Sequence, residues 1–271
     1  MPQQHHDQAA ELRLAVLIDA DNAPRTAMRS IMQEIAVYGT PTVKRIYGDW
    51  TQPNMASWKP ILLENAIAPI QQYSYTIGKN STDSAMIIDA MDVLYSNQVD
   101  GFVLVSSDSD FTRLATRLRE AGKKVIGMGE RKTPMPFIVA CDKFIYIEVI
   151  RAAWANTFPV EDGDAGVSPA PAARPLRRRS EEPVVTAQGV PQAVEELIAD
   201  SLSMIADEDG YAFMGELGNL LLRKQPDFDP RNYGFQKLTP LIKRLGRFEN
   251  DSRPTSNPHT KHVYLRDKKA R

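Results

Sequence analysis

Four aspartates stand in two pairs, and each pair closely follows a short apolar segment. They are Asp19, Asp21, Asp108 and Asp110. The preceding segments, residues 14–18 and 102–105, are apolar and too short for helices, so each is predicted to be a buried strand. A carboxylate at the end of a buried strand is costly to desolvate unless a cation or hydrogen-bond donors meet it. Two such strand ends in one chain favour a shared polar site over two separate helix caps.

Acidic clusters without His or Cys are typical of sites for hard divalent cations. Mg²⁺ and Mn²⁺ prefer carboxylate and water oxygens. A bound ion can orient water, lower its pKa and neutralise charge that builds on a phosphate. The candidate metal-binding and catalytic residues are Asp19, Asp83, Asp108 and Asp110. Asn22, Lys79 and Ser107 lie in adjoining segments and are the candidates for contacting the substrate.

Other aspartates have simpler explanations. For Asp83 alone, capping of a helix N-terminus explains the residue about as well as a metal site does. Asp21 is harder to place and is left outside the predicted site. Asp89, Asp92 and Asp142 are interpreted as helix-surface or loop charges.

Strands and helices alternate along the first 150 residues. Strands are predicted at residues 14–18, 42–47, 67–73, 102–106, 124–128 and 143–149. Helices are predicted at residues 24–36, at 54–64 with a break at Pro60, at 83–96, and through Leu114 and Leu118 to about Gly122. The third helix is predicted to be capped by Thr82 and to bury Ile87, Ile88, Met91 and Leu94.

This alternation predicts an α/β fold, with a parallel sheet covered by helices on both faces. Sites in such sheets lie beyond the carboxyl ends of the strands, where the strand order reverses. If the first and fourth strands are neighbours at that point, Asp19 and Asp108 converge there. Their adjacency is a prediction for the structure to test.

The composition changes after residue 156. Residues 157–190 are rich in proline and alanine and include a basic run at 176–179, which predicts a disordered linker. Helical spacing over residues 194–205, 213–222 and 233–245, with a strand at 262–265, predicts a small winged helix-turn-helix-like domain at 191–267. The same spacing also fits another small helical bundle.

The last 49 residues carry a concentrated positive charge. From Arg223 to Arg271 there are thirteen Lys or Arg and five Asp or Glu, a local excess of eight positive charges. Such an excess is typical of a nucleic-acid-binding surface, and it is about equally typical of a solvated basic face.

The overall composition narrows the class of protein. A net charge of −1, with 42% apolar and 25% charged residues, is that of an ordinary globular protein. The single cysteine, Cys141, excludes an internal disulfide and argues against a cysteine-based zinc site. No apolar run approaches the roughly 20 residues that span a bilayer, and residues 1–11 lack the apolar core of a signal peptide. We therefore expect a cytoplasmic protein with no membrane partner.

Three motifs occur in order at residues 18–22 (IDADN), 79–83 (KNSTD) and 106–111 (SSDSDF). Together they resemble the motifs of NYN domains, which belong to the PIN-like ribonucleases. The resemblance covers residues 12–152 and implies a PIN-like, Rossmann-like parallel sheet. It implies a metal-dependent endoribonuclease that uses Mg²⁺ or Mn²⁺ to act on RNA. The family's acidic positions correspond to Asp19, Asp83, Asp108 and Asp110.

A second resemblance covers the C-terminal domain. Residues 226–235 (PDFDPRNYGF), followed by Leu238, Leu241 and Ile242, are similar to the OST-HTH (LOTUS) domain. This resemblance implies RNA binding or a protein partner for residues 191–267.

Two other functions fit the residue pattern. In a non-catalytic RNA-binding regulator, the acidic cluster binds metal or RNA without cleavage. In a haloacid-dehalogenase-type phosphatase, an Asp-x-Asp motif also follows the first strand. That family normally has Thr or Val two residues after the second Asp, where this chain has Ala23.

Overall fold

Six parallel strands form the sheet of the N-terminal unit. The structure is a computed structural model, and it describes residues 11–73, 81–155, 189–254 and 261–269. The chain divides into two units, Met1–Pro159 and Val160–Arg271. The strands of the first unit are β1 (Arg13–Asp19), β2 (Thr40–Gly48), β3 (Ala68–Gln71), β4 (Gly101–Val105), β5 (Lys124–Gly129) and β6 (Lys143–Tyr146). Its helices are α1 (Met28–Ala36), α2 (Lys59–Asn65), α3 (Ser81–Ser96), α4 (Thr112–Glu120), α5 (Met135–Ala140) and α6 (Ile147–Trp154).

The strand order of this sheet reverses between β1 and β4. The order is β3-β2-β1-β4-β5-β6, and every neighbouring pair is parallel. Leu14 pairs with Gly101 and Ile18 with Val105, so β1 and β4 end side by side. The predicted adjacency of the first and fourth strands is therefore confirmed, as is the α/β, PIN-like parallel sheet. Residues that follow β1 and β4 emerge at the same edge of the sheet, at its switch point.

Strand β1 packs into two cores, one on each face of the sheet. Residues 14, 16 and 18 belong to the core covered by α1, α2 and α6. Residues 15 and 17 belong to the core covered by α3, α4 and α5. All five side chains are fully buried, because successive residues of a strand point to opposite faces. Packing on both faces holds β1 in place and thereby holds Asp19 at its end.

Helix α3 differs from its prediction at its start and in its buried face. It begins at Ser81, so Thr82 lies within the first turn and is not the cap. Met86 and Ala90, four residues apart, are buried, whereas Ile88 is 64% exposed. The prediction was wrong for Ile88 because apolar residues occur around much of this helix, and packing against the sheet selects one face.

The last part of the N-terminal unit contains two helices that the sequence analysis missed. The strand predicted at residues 143–149 ends at Tyr146, and α6 begins at Ile147. Ile147 and Ile150 pack into the same core, at a helical spacing that a short apolar run does not distinguish from a strand. Helix α5 has only six residues, which is too short to show a helical period.

Two predicted elements are shorter or divided. The helix predicted at residues 54–64 consists of a 3₁₀ segment, Pro53–Trp58, followed by α2. Pro60 lies in the first turn of α2, where its missing N–H is not needed. The strand predicted at residues 67–73 is limited to β3.

The C-terminal unit combines three helices with a small antiparallel sheet. Its helices are α7 (Gln192–Ile205), α8 (Met214–Lys224) and α9 (Leu238–Leu245), and its strands are β7 (Tyr211–Phe213), β8 (Phe248–Pro254) and β9 (Lys261–Asp267). The strand order is β7-β9-β8. This arrangement agrees with the predicted winged helix-turn-helix-like domain, although β7 and β8 were not predicted. The helix predicted at residues 233–245 begins only at Leu238, because Gly234 adopts a left-handed conformation with φ of 83°.

Residues 156–188 contain most of the predicted linker and its basic run, and they lie outside the described residues. In the described parts of the chain, we find no helix with the length and apolar character needed to cross a bilayer.

Asp89 and Asp92, both interpreted from the sequence as surface charges, lie in different environments on α3. Asp92 is exposed, whereas Asp89 accepts hydrogen bonds from Arg45 and from the hydroxyl of Tyr47 in β2. The Tyr47 side chain is fully buried, and its pKa is raised by burial and by the hydrogen bond to Asp89. Asp89 therefore provides the acceptor for a buried hydroxyl and joins α3 to the sheet.

Replacing Asp89 with alanine should lower the free energy of unfolding by about 1–3 kcal/mol, because the buried hydroxyl loses its acceptor. Asp92→Ala on the same helix is the matched control and should change it by less than about 0.5 kcal/mol. Urea denaturation followed by circular dichroism measures both values. Equal effects of the two substitutions would show that Asp89 has no structural role.

Candidate metal centre

Three carboxylates meet at the carboxyl edge of the sheet, near the reversal of strand order. Asp83 lies in the first turn of α3, and Asp108 and Asp110 lie in the connection between β4 and α4. One carboxylate oxygen of each residue lies within 4.8 Å of those of the other two. Asp83 and Asp108 are partly buried, and Asp110 is exposed. The structure thus brings together three of the four aspartates predicted to bind a metal.

The hydroxyl of Ser106 joins the ends of β1 and β4. Its Oγ donates to Asp19 Oδ2 at 2.8 Å and accepts from the Asp108 backbone N–H at 3.0 Å. Asp108 Oδ1 in turn accepts from the Asp110 N–H at 2.9 Å, which starts a 3₁₀ turn over Ser109–Phe111. Because each bond positions the next residue, the path of the chain after β4 is fixed relative to Asp19.

Asp19 lies next to the cluster of three and is fully buried. Its Oδ1 accepts from the Asp21 N–H at 3.0 Å, and its Oδ2 accepts from Asn22 Nδ2 at 2.7 Å as well as from Ser106. Of the roughly four acceptor positions of a carboxylate, three are met by donors among the residues that the structure describes. The Ser106 hydroxyl joins the Asp19 carboxylate to the backbone N–H of Asp108, and the role of Asp19 in metal binding stays a prediction.

Crowding of carboxylates raises the proton affinity of Asp83. Burial is the largest cause and neighbouring negative charge adds to it, so the pKa of Asp83 rises from 3.8 to about 6. The contributing neighbours, in decreasing order, are Asp19, Asp108, Asp110 and Asp21. A nearby cation would have the opposite effect, because it favours the ionised carboxylate.

Asp21 and Asp49 also belong to this acidic edge, although neither was predicted to. The pKa of Asp21 is raised by burial and by Asp19, while a hydrogen bond from Thr82 opposes the rise and Asp49 adds a smaller increase. Asp49 is 7% exposed and follows the end of β2 directly. The rule applied to β1 and β4, a carboxylate just beyond a strand end, would have identified Asp49 as well.

The three residues predicted to contact the substrate, Asn22, Lys79 and Ser107, lie in different segments of the chain. Asn22 orients Asp19 through its amide. Ser107 is 7% exposed, and its Oγ accepts from the Glu130 N–H at 2.9 Å. Lys79 lies outside the described residues. Roles for all three in binding remain predictions.

The donor set fits a hard divalent cation. Asp83, Asp108 and Asp110 offer only oxygen atoms, and all three remain accessible to some extent. Mg²⁺ and Mn²⁺ bind such sites through a few carboxylates and retain several waters. Soft ligands are absent from this cluster, so the residues suit these ions better than Zn²⁺ or Cu²⁺.

The parallel sheet and its acidic carboxyl edge are the architecture of a PIN-like domain. Residues 13–148, half of the chain, match the NYN domain, and the chain belongs to the NYN domain family. Residues 189–260 match the OST-HTH/LOTUS domain. Both resemblances seen in the motifs are thus confirmed, in the predicted order. The NYN assignment favours a PIN-like site over that of a haloacid-dehalogenase-type phosphatase.

Individual relatives are similar over part of their length. The chain is 29% identical over 123 residues to an uncharacterized protein of Methanocaldococcus jannaschii, a match that covers 44% of this chain and 48% of the relative. The chain therefore spans about half the length of that curated relative.

Two solved structures are also similar. A crystal structure of a protein of unknown function from Vibrio parahaemolyticus matches with a TM-score of 0.44 and 21% identity, covering 54% of this chain and 96% of that one. A solution NMR structure of an uncharacterized protein from Nitrosomonas europaea matches with a TM-score of 0.26 and 31% identity, covering 40% of this chain and 94% of that one.

Replacing Asp83 with asparagine should raise the melting temperature of the metal-free protein at neutral pH. Removing the repulsion should raise the free energy of unfolding by about 1 kcal/mol, after allowing for solvent screening of this half-buried group. For a chain of this size, that increase corresponds to a melting temperature roughly 2–4 °C higher. Because the pKa of about 6 in the folded state exceeds the ordinary 3.8, the folded protein binds the proton more tightly. Its stability therefore falls as pH rises from about 4 to about 6. The difference between variant and parent should grow over that range and then stay constant.

Thermal melts in EDTA at several pH values measure this difference. Asp92→Asn removes a charge from the same helix, at an exposed position, and should show no such trend. An Asp83→Asn protein that melts below its parent at neutral pH would contradict the proposed repulsion.

Proposed function

We propose that this protein is a metal-dependent endoribonuclease that hydrolyses RNA phosphodiesters at the carboxyl edge of its NYN domain. One observation carries the proposal: oxygens of Asp83, Asp108 and Asp110 lie within 4.8 Å of one another at the switch point of the sheet. Membership of the NYN family, a PIN-like nuclease group, supports RNA as the substrate. Hydrolysis adds water across one P–O bond and leaves a phosphomonoester and a hydroxyl end.

Mg²⁺ or Mn²⁺ is the proposed cofactor. When bound, the ion supplies a water of lowered pKa and neutralises charge on the phosphate. Asp83, Asp108 and Asp110 would hold it, and Asp19, which lies at the end of the neighbouring strand β1, is proposed as a fourth ligand. These four aspartates are the proposed catalytic and metal-binding residues.

Other residues are proposed to position the site or its substrate. Ser106 and Asn22 act through Asp19, because both donate to its Oδ2. The Ser107 hydroxyl accepts from Glu130 and retains its own hydrogen for donation to a phosphate oxygen. Lys79, outside the described residues, is proposed as a cation for the same phosphate.

The C-terminal unit is proposed to hold RNA through α9 and its surroundings. Much of the acidic charge there is paired, as in Asp229 with Arg231, Glu249 with Arg266, Asp251 with Arg253 and Asp267 with Arg247. Seven exposed basic residues form no ion pair with any residue that the structure describes. They are Arg223, Lys224, Lys237, Lys243, Arg244, Lys261 and Lys268. Three of them lie on or beside α9, so that helix is the proposed contact for phosphates.

The purified protein should cleave single-stranded RNA when Mg²⁺ or Mn²⁺ is added and should not cleave in EDTA. Asp108→Asn should reduce the rate by at least about a hundredfold, because it removes a charged oxygen from the cluster. Electrophoresis of fluorescently labelled RNA measures the rate.

Asp92→Asn, an exposed change on α3, is the matched control and should cleave at the parental rate. Undiminished cleavage by Asp108→Asn, or by the parent in EDTA, would contradict the metal mechanism. RNA binding without cleavage in either ion would instead indicate the non-catalytic regulator. Failure of the full chain to bind RNA would leave a protein partner as the better assignment for the C-terminal unit.

A further inference from the structure

A cavity of about 500 Å³ opens beside the loop that follows β2 and is lined by residues that the proposed hydrolysis does not use. We call it the Trp50 cavity. One side is the loop that follows β2, which contributes Trp50, and the other sides are formed by α2, the 3₁₀ segment before it and β3. Met55, Leu62 and Ile67 line it and are each less than 10% exposed. An apolar cleft of this size has the dimensions of a site for a small ligand, typically about 300–1,000 Å³.

The cavity and the acidic edge share one loop. Trp50 directly follows Asp49, and the backbone N–H of Ala20, the residue after Asp19, donates to the Tyr47 carbonyl near the end of β2 at 3.0 Å. Strand β2 pairs with β1 on one side and with β3 on the other. Since neighbouring strands lie about 4.8 Å apart, β3 lies roughly 10 Å from β1. The cavity therefore lies beside β3, two strands from the carboxyl end of β1.

The indole of Trp50 is held in one orientation. Its Nε1 donates to the Ile70 carbonyl at 2.9 Å, and its backbone N–H donates to Gln71 Oε1 at 2.9 Å. The Gln71 amide also donates to Asp49 Oδ1 at 2.9 Å, and Thr51 Oγ1 donates to the same oxygen at 2.6 Å. An aromatic ring fixed in this way provides a preorganised surface on which a nucleobase can stack.

The mouth of the cavity carries a positive charge. Lys59 lines the cavity, is exposed and forms no ion pair within the described ranges of the chain. An apolar wall with a fixed aromatic ring and a nearby ammonium group matches a nucleotide, which combines a flat base with an anionic phosphate. A purely apolar ligand would form no favourable interaction with the Lys59 ammonium group.

We propose that the Trp50 cavity binds the base of one nucleotide of the RNA substrate, adjacent to the phosphate held at the acidic edge. The base stacks on Trp50, and Lys59 contacts the phosphate of that nucleotide. This inference rests on the proposed function, and it assigns Trp50 and Lys59 to substrate binding and not to catalysis.

Photocrosslinking of the full chain in EDTA tests this site without requiring cleavage. Single-stranded RNA that contains 5-iodouridine should crosslink to Trp50, as identified by mass spectrometry of the digested protein. Trp50→Phe should retain a crosslink and Trp50→Ala should lose it. Ala56→Trp leaves Trp50 in place but fills the cavity from a lining position, and it should reduce the crosslink at least about fivefold. Tyr95→Ala removes an aromatic side chain that is 72% exposed on α3 and should change nothing.

In the cleavage assay, Trp50→Ala and Ala56→Trp should each raise KM for RNA about tenfold, as expected for loss of one stacked base, and leave kcat within about twofold. The inference would be overturned if crosslinks were found only in residues 189–269. It would also be overturned if Ala56→Trp changed neither the yield of the Trp50 crosslink nor the KM for RNA. A crosslink at Trp50 in a protein that cleaves no RNA would support the cavity and refute the nuclease. RNA cleavage that neither Trp50→Ala nor Ala56→Trp affects would support the nuclease and refute the role of the cavity.

Discussion

The parallel pairing of β1 with β4 is the constraint on which the proposed site depends. It brings the ends of two strands 87 residues apart in sequence within one hydrogen bond of each other, through the Ser106 hydroxyl and Asp19. Burial of β1 on both faces prevents Asp19 from moving away from its donors. The position of Asp108 then follows from its bond to Ser106, and that of Asp110 from its bond to Asp108.

This rigid support places like charges where they repel. The pKa of Asp83 rises because α3 holds its carboxylate among other aspartates and partly away from water. A protein without need of a cation would gain stability by replacing one of these residues with a neutral one. By this account the arrangement costs stability in the metal-free protein, and a divalent ion bound at the proposed site would remove that cost. The acidic edge continues through Asp49 to Trp50, so the proposed metal and nucleotide sites would both be positioned by the paired strands β1 and β2.

The sequence identified the features that follow from local chemistry. Apolar runs that end in carboxylates located β1 and β4, and the alternation of elements predicted the parallel sheet. Other features depend on packing between distant segments, about which sequence periodicity carries no information. They are the exposure of Ile88, the helix at residues 147–154 and the contact of Asp89 with the buried hydroxyl of Tyr47. Asp49 differs from these cases, because its position one residue beyond β2 follows the same sequence rule as β1 and β4, and only its hydrogen bonds with Thr51, Gln52 and Gln71 required the structure.

Titration of the metal-free protein with Mn²⁺, followed by electron paramagnetic resonance of the free ion, tests most directly whether the three carboxylates form a metal site. One saturable site is expected in the parent protein at neutral pH. Asp110→Asn should weaken binding at least about tenfold, because it removes one charged ligand, and Asp92→Asn should not change it. Equal Mn²⁺ affinity for the parent and Asp110→Asn proteins would contradict the central claim.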